Sequence, residues 1–278
     1  MDWISNLNAF TPQIQNGAVP MTHMKSITKR ATHRKALFTR QVLTLAMIFL
    51  KEQLKEPISF FWTLISPCAL FYFLAYARYD ASYFTQTYMD AASWFYAYTS
   101  ASIALFGVAL YFVGRREAGF VRSFIYTTRA IYLYITAHLI CHSIVSLAYC
   151  IIFYLATRFA FQDANPAELP TLILRFYLCF LLFCIPALLL ATCPLSFRNA
   201  NTLFSMILFS MLLLSAIGAY QPHWIVETIN TLNPFVIASR IMREGVIMIE
   251  AFCLLIGFTL AIYCNVKYFR INPVWSRY

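Results

Sequence analysis

Long apolar runs separated by short charged segments dominate this chain. Six stretches, near 58–77, 92–113, 131–157, 171–192, 202–220 and 249–266, each hold enough apolar residues to cross a bilayer. A helix needs about 20 such residues, because in lipid only bonding within the segment satisfies its backbone. The third stretch is long enough to tilt or to extend beyond the bilayer. Pro186 removes an amide donor from the fourth and predicts a kink there. Ahead of the first stretch, the run Val42–Leu50 is too short to span. Wound as a helix, 34–56 gathers Arg40, Thr44, Lys51 and Lys55 on one arc, with Phe38, Val42, Leu45 and Phe49 elsewhere. Leu37 and Ile48 interrupt that arc, yet the pattern predicts an amphipathic helix lying flat at an interface.

Two of the connecting segments carry structure of their own. The 114–130 gap mixes Arg115, Arg116, Glu117 and Arg122 with Phe120, Val121, Phe124 and Ile125, which predicts a short amphipathic helix. It reads either as a basic inner loop or as a docking element with apolar residues for a groove on a partner. The 221–248 segment is broken by Pro222 and Asn233-Pro234, but Phe235, Val236, Ile237, Ile241 and Met242 make it too apolar for a free loop. A broken re-entrant hairpin is expected, with a surface helix packed on the span ends as the alternative. The fold class is therefore all-α: a polar segment 1–33, an interface helix 34–56, a six-helix domain 57–267 and a tail 268–278.

Composition agrees. Of 278 residues, 61% are hydrophobic and 12% charged, with a mean hydropathy of +0.65. A soluble domain carries roughly 25% charged residues, so this is a polytopic membrane protein. The net charge of +10 is mostly topological: sixteen of the 21 Lys and Arg residues fall on one side of the six-span arrangement. That side is the cytoplasm, which places both termini there. Such a distribution leaves attraction to anionic membrane lipid but no separate basic domain, so a nucleic-acid partner is not expected. The basic stretch before the first apolar run is too long for a cleaved signal peptide, and none is expected to be removed. All eight cysteines fall in spans or at their edges and read as small buried hydrophobes rather than disulfide partners.

Candidate chemistry is sparse. His138 and His142 stand one helical turn apart, a spacing that can place two imidazoles on a metal, but hydrogen bonding to a neighbouring helix or lining a polar path is the preferred role and no metal is expected. Aromatic residues crowd the first two spans. Trp62, Tyr72 and Tyr96 are candidates for a translocation path, with interfacial belts as the alternative reading of this class. The spans nearly lack acidic side chains, which argues against a carboxylate relay coupled to protons or sodium. No phosphate loop and no Gly-Lys dipeptide occur, so the chain alone is not expected to hydrolyse ATP.

Several short motifs occur in a consistent order: Lys55-Glu56-Pro57 closing the amphipathic helix, Ser66-Pro67 in the first span, and Arg-Arg-Glu-Ala-Gly-Phe-Val-Arg at 115–122 after the second. Glu117, Gly119, Val121 and Arg122 match an acidic–Gly–apolar–basic pattern, and Asn233-Pro234 with Arg240 precede the last span. In this the chain resembles the ABC-2 type permeases, the membrane subunits of exporters driven by separate ATP-binding cassette proteins. One departure is Thr127-Thr128-Arg129, where members often place Pro.

The resemblance implies that two copies, or this chain with a related one, surround a path in the plasma (bacterial inner) membrane. Two nucleotide-binding ATPase subunits, holding ATP and Mg, would close beneath them, and this chain would bind no cofactor and catalyse no reaction. The coupling residues implied are Arg115, Arg116, Glu117, Gly119, Phe120 and Arg122, with Arg40, Lys51 and Lys55 on the interface helix. Asn233, Pro234, Phe235 and Arg240 would form an exit gate. The cargo would be amphiphilic, either a lipid-linked glycan or a drug-like or peptide-like natural product. An ATP-independent transporter or channel, and less so a lipid-modifying membrane enzyme, stay open as alternatives.

Overall fold

The computed structural model describes residues 21–55, 57–77, 87–158, 166–220, 224–272 and 274, without the side chains of 21–35, 57–62, 77, 166 and 220. The described elements are helical, and no strand occurs among the described residues. They are α1 (Met21–Leu54), α2 (Pro57–Ala77), α3 (Tyr88–Glu117), α4 (Phe120–Phe124), α5 (Thr128–Arg158), α6 (Leu169–Ala191), α7 (Phe197–Tyr220), α8 (Trp224–Leu232), α9 (Pro234–Glu244) and α10 (Met248–Lys267). Five of them, α3, α5, α6, α7 and α10, are long and apolar enough to cross a membrane. The chain is a multi-pass, all-α membrane protein. The described apolar part of α2, Thr63–Tyr76, falls short of that length.

Helix α1 starts at Met21 rather than near 34, because no Pro or Gly interrupts the sequence between Met21 and Leu54. The chain divides into two compact units between Gln41 and Val42. In the second unit, Val42, Ala46 and Phe49 are buried at helical spacing, while Leu43, Met47, Lys51 and Lys55 are exposed.

Helix α3 extends past the expected end to Glu117, so Arg115, Arg116 and Glu117 form its last turn rather than a loop. Gly119, at φ 75°, supplies the left-handed turn that stops it and opens α4. Mid-way, Ile103–Leu110 is wound as a π-helix, a widened turn. Thr127 stands just before α5, and its hydroxyl accepts from the Ala130 amide at 3.3 Å, an N-cap bond that a Pro could not make.

Helix α6 lies at the centre of the second unit. Its buried Leu172, Phe176, Cys179, Phe180, Phe183 and Ala187 face α3, α9 and α10. Aromatic rings fill the neighbouring space: Tyr96 packs edge-on against Phe153 at 4.8 Å and Phe176 at 5.9 Å, and Phe71 meets Phe95 at 5.2 Å. All eight cysteines are free. Helix α7 is different. Among its described side chains only Ala200, Phe204 and Leu208, one stripe at i, i+4, i+8, are buried.

The segment before α10 is a pair of helices broken at Asn233-Pro234. Asn233 Oδ1 accepts from the Phe235 amide at 3.0 Å, and its Nδ2 donates to the Met211 carbonyl at 3.0 Å, which fixes the break against α7. Helix α9 buries Phe235, Ala238, Ile241 and Met242, whereas α8 buries nothing.

Candidate functional site

One guanidinium ties three elements together. The last turns of α1 supply Phe49 and Glu52, the last turns of α3 supply Tyr111 and Arg115, and α4 begins with Phe120. The Arg115 guanidinium lies 4.9 Å from the Phe49 ring centre, 4.7 Å from that of Tyr111 and 4.4 Å from that of Phe120. It forms an ion pair with Glu52 and donates to the Tyr111 hydroxyl, which itself donates to Glu52 at 2.9 Å. Three rings within 5 Å attract the cation, and the carboxylate neutralises it.

Behind Tyr111 lies a buried aromatic and imidazole cluster. Tyr111 stacks on His138 at 5.1 Å, Phe112 meets His138 at 4.2 Å, and His142 stands 4.4 Å from His138. Both imidazoles are fully buried. His138 Nε2 is 3.2 Å from the Val108 carbonyl inside the π-helical stretch. Gly107 admits His142 here, since a Cβ at that position would stand 2.9 Å from His142 Nδ1. No group of three or more His, Cys, Asp or Glu side chains gathers among the described residues.

In front of Arg115 opens a groove of about 960 Å³. Glu52, Lys55 and Arg115 line its charged end, and Tyr98, Phe106, Leu110, Phe120 and Phe197 supply apolar walls. Thr63, Ser66, Ser102 and Asn201 add hydroxyl and amide groups. A site of this size with mostly apolar walls and a few polar groups suits a small amphiphilic molecule.

The residues singled out in the sequence separate into distinct places. Arg115, Phe120 and Lys55 meet at the groove. Arg116 does not: it is 3% exposed and donates to the carbonyls of Ala191 at 3.2 Å, Cys193 at 3.1 Å and Leu195 at 2.7 Å, closing the C-terminal end of α6. Glu117 lies 3.5 Å from Arg116 and accepts from the Val274 amide at 3.0 Å, which pins the tail. Gly119 serves the turn. Val121 and Ile125 anchor α4 inward, leaving Arg122, Phe124 and Tyr126 exposed, the last two at 65% and 80%. Tyr126 was not legible as part of this face. Lys51 is exposed, and Arg40 belongs to the other compact unit.

Of the path candidates, the Trp62 side chain lies outside the described residues. The Tyr72 hydroxyl donates to the Ala156 carbonyl, and the buried Tyr96 hydroxyl shares a 2.8 Å hydrogen bond with Tyr88. Neither ring lines the groove, and the His pair sits behind it. The gate candidates gather elsewhere. Asn233, Pro234 and Phe235 form the helix break, with Phe235 against Trp94 at 5.2 Å, and Arg240 bonds Glu250 at 2.7 Å. Arg175 of α6 donates to the carbonyls of Met242 at 2.9 Å and Arg243 at 2.8 Å and packs on Gly245, whose φ is 94°. Arg175 and Arg116 are thus paired devices, each closing the C-terminus of a helix at a different end of the fold.

The sequence is 30% identical over 237 residues to Protein McbE of Escherichia coli, an alignment spanning 84% of this chain and 98% of that protein. The chain belongs to the McbE family. No model of a known protein family matches the sequence.

Proposed function

We propose that this member of the McbE family is the membrane-spanning subunit of an ATP-driven exporter of the ABC-2 permease type. It moves an amphiphilic cargo out of the cytoplasm, and a separate nucleotide-binding subunit, carrying ATP and Mg, supplies the energy. The observation that carries this reading is the Arg115 cluster. One cation clamps α1, α3 and α4 together at the mouth of a groove, so a push on α4 is transmitted to the groove wall rather than absorbed in a loop.

The exposed Arg122, Phe124 and Tyr126 of the α4 region form the contact for the motor: rings to enter a groove and a charge to fix register. Helix α2 is the sixth span, and both termini lie in the cytoplasm of a bacterial inner membrane. Helices α8 and α9 dip into the outer leaflet as a broken hairpin and gate the exit. The side of α7 bearing Met206, Phe209, Leu213 and Ile217 is exposed in the single chain. A second copy, or a related permease, covers it and closes the path.

The test is purification of the tagged chain from native membranes. A nucleotide-hydrolysing subunit co-purifies, and replacing Phe124 and Tyr126 together by alanine reduces its attachment severalfold while the permease keeps its thermal stability. Absence of any such subunit, or attachment indifferent to both substitutions, refutes the proposal.

A further inference from the structure

Beside the groove lies a second cavity of about 60 Å³, lined among others by Gln53 of α1, Thr63 of α2, Ser102 and Gly107 of α3, and Tyr149 of α5. Thr63, Ser102, Phe106 and Tyr111 border both spaces, so the small one is an alcove in the wall of the large one. Two of its polar atoms are buried without a hydrogen-bond partner: Gln53 Oε1 and Ser102 Oγ. The Ser102 case is unusual within its own helix. Helical hydroxyls ordinarily turn back to a carbonyl three or four residues earlier. Thr99 does so to Phe95 at 2.9 Å and Ser100 to Ala97 at 2.9 Å, but Ser102, at the entry to the π-helical stretch, does not. A buried polar atom without a partner is costly. Two of them, brought to one small cavity by α1 and α3, are a place kept for something.

We infer that this alcove is a ligand subsite, which receives a small hydrogen-bond-donor head, the size of a carboxamide, on a molecule whose apolar body lies in the groove. Gln53 Oε1 only accepts, and Ser102 Oγ accepts as well, so the group that satisfies both must bring donors. A carbonyl ester brings none. The volume decides the size: about two water molecules at roughly 30 Å³ each fill the space, which admits a carboxamide and excludes a sugar ring. Among the described residues lining the alcove there is no carboxylate to pair with an ammonium ion, so a neutral donor fits better. The inference rests on the groove being where cargo enters. It is tested on the resting chain without a motor, so it stands or falls separately from the motor assignment.

The experiment measures binding of three probes of equal chain length to the full chain in lipid nanodiscs, with empty nanodiscs subtracted: dodecanamide, methyl dodecanoate and dodecyl glucoside. The amide binds about tenfold or more tighter than the ester, as two hydrogen bonds to otherwise unpaired acceptors require, and the glucoside gains nothing over the ester. In Gln53→Met/Ser102→Ala the amide falls to the ester's affinity while ester binding is unchanged, which also shows that the variant is folded. If ester binding is lost as well, Ser102→Ala alone decides, and it reduces the amide preference by severalfold. Equal binding of amide and ester to the natural chain, a preference that survives both variants, or no binding of any probe overturns the inference. So does a density map in which water stays in the alcove while the amide is bound elsewhere.

Discussion

Replacing Arg116 by methionine separates a helix cap from a docking residue. The substitution keeps a long, largely apolar side chain but withdraws the donors from the carbonyls of Ala191, Cys193 and Leu195. Leaving a buried acceptor unpaired costs about 1–3 kcal/mol. The Cys193 and Leu195 contacts are only part-buried, so water recovers some of their loss, and removing a buried charge returns part of its desolvation cost. The net destabilisation is about 2–4 kcal/mol. At roughly 2–4 °C per kcal/mol for a chain of this size, Tm falls on the order of 10 °C. Thermal unfolding of the purified protein, followed by the fluorescence of a thiol dye, reads this directly through the buried Cys179 and Cys184. Arg116→Lys, which keeps the charge but lacks the fork that reaches several carbonyls, falls in between. Per folded molecule, motor attachment stays at the natural level. A methionine variant with unchanged Tm and lost attachment would refute the reasoning and return Arg116 to the surface role its sequence position suggests.

Other substitutions probe the remaining devices. Gly107→Ala forces a methyl onto His142 Nδ1 and destabilises by about 1–3 kcal/mol; adding His142→Ala restores the space, so the two effects in a thermal double-mutant cycle are less than additive. Arg115→Gln removes the ion pair and the ring contacts, at a stability cost of about 1–2 kcal/mol, and uncouples ATP turnover from cargo while the motor stays attached. Asn233→Ala loses the cap on α9 and the tie to Met211, about 1–2 kcal/mol, visible as a lowered Tm. Arg175→Leu frees the α9–α10 turn, and amide hydrogen exchange rises over residues 242–247 with little change elsewhere in α6.

The spans were legible because their apolar runs are long and the segments between them charged, and the structure places α3, α5, α6, α7 and α10 close to the expected boundaries. Local signals also carried the Asn233-Pro234 break, where a capping side chain and a Pro at the first helical turn act within three residues. The end of α3 was missed. Charge and apolar pattern assign Arg115, Arg116 and Glu117 to a connecting segment with a short amphipathic helix of its own, whereas they continue α3 up to the left-handed turn at Gly119 that ends it. Nor could composition reveal that Arg116 is a cap, since its acceptors lie 75 to 79 residues away. The groove was invisible for a similar reason: its walls come from α1, α2, α3, α4 and α7, and no periodicity within one helix marks a surface assembled from five. The histidine pair was found at once by its spacing, but its setting, against a π-helical carbonyl and Gly107, belongs to tertiary packing alone.

The most direct test of the motor assignment is thiol cross-linking from Phe124→Cys and Tyr126→Cys in inverted membrane vesicles, with a natural-chain background cleared of reactive cysteine. Both positions cross-link to an ATP-binding subunit, and added nucleotide changes the yield because closure of that subunit moves the contact. Labelling of these cysteines only from the external face, or cross-links to lipid and to this chain but never to a nucleotide-binding partner, would contradict the account.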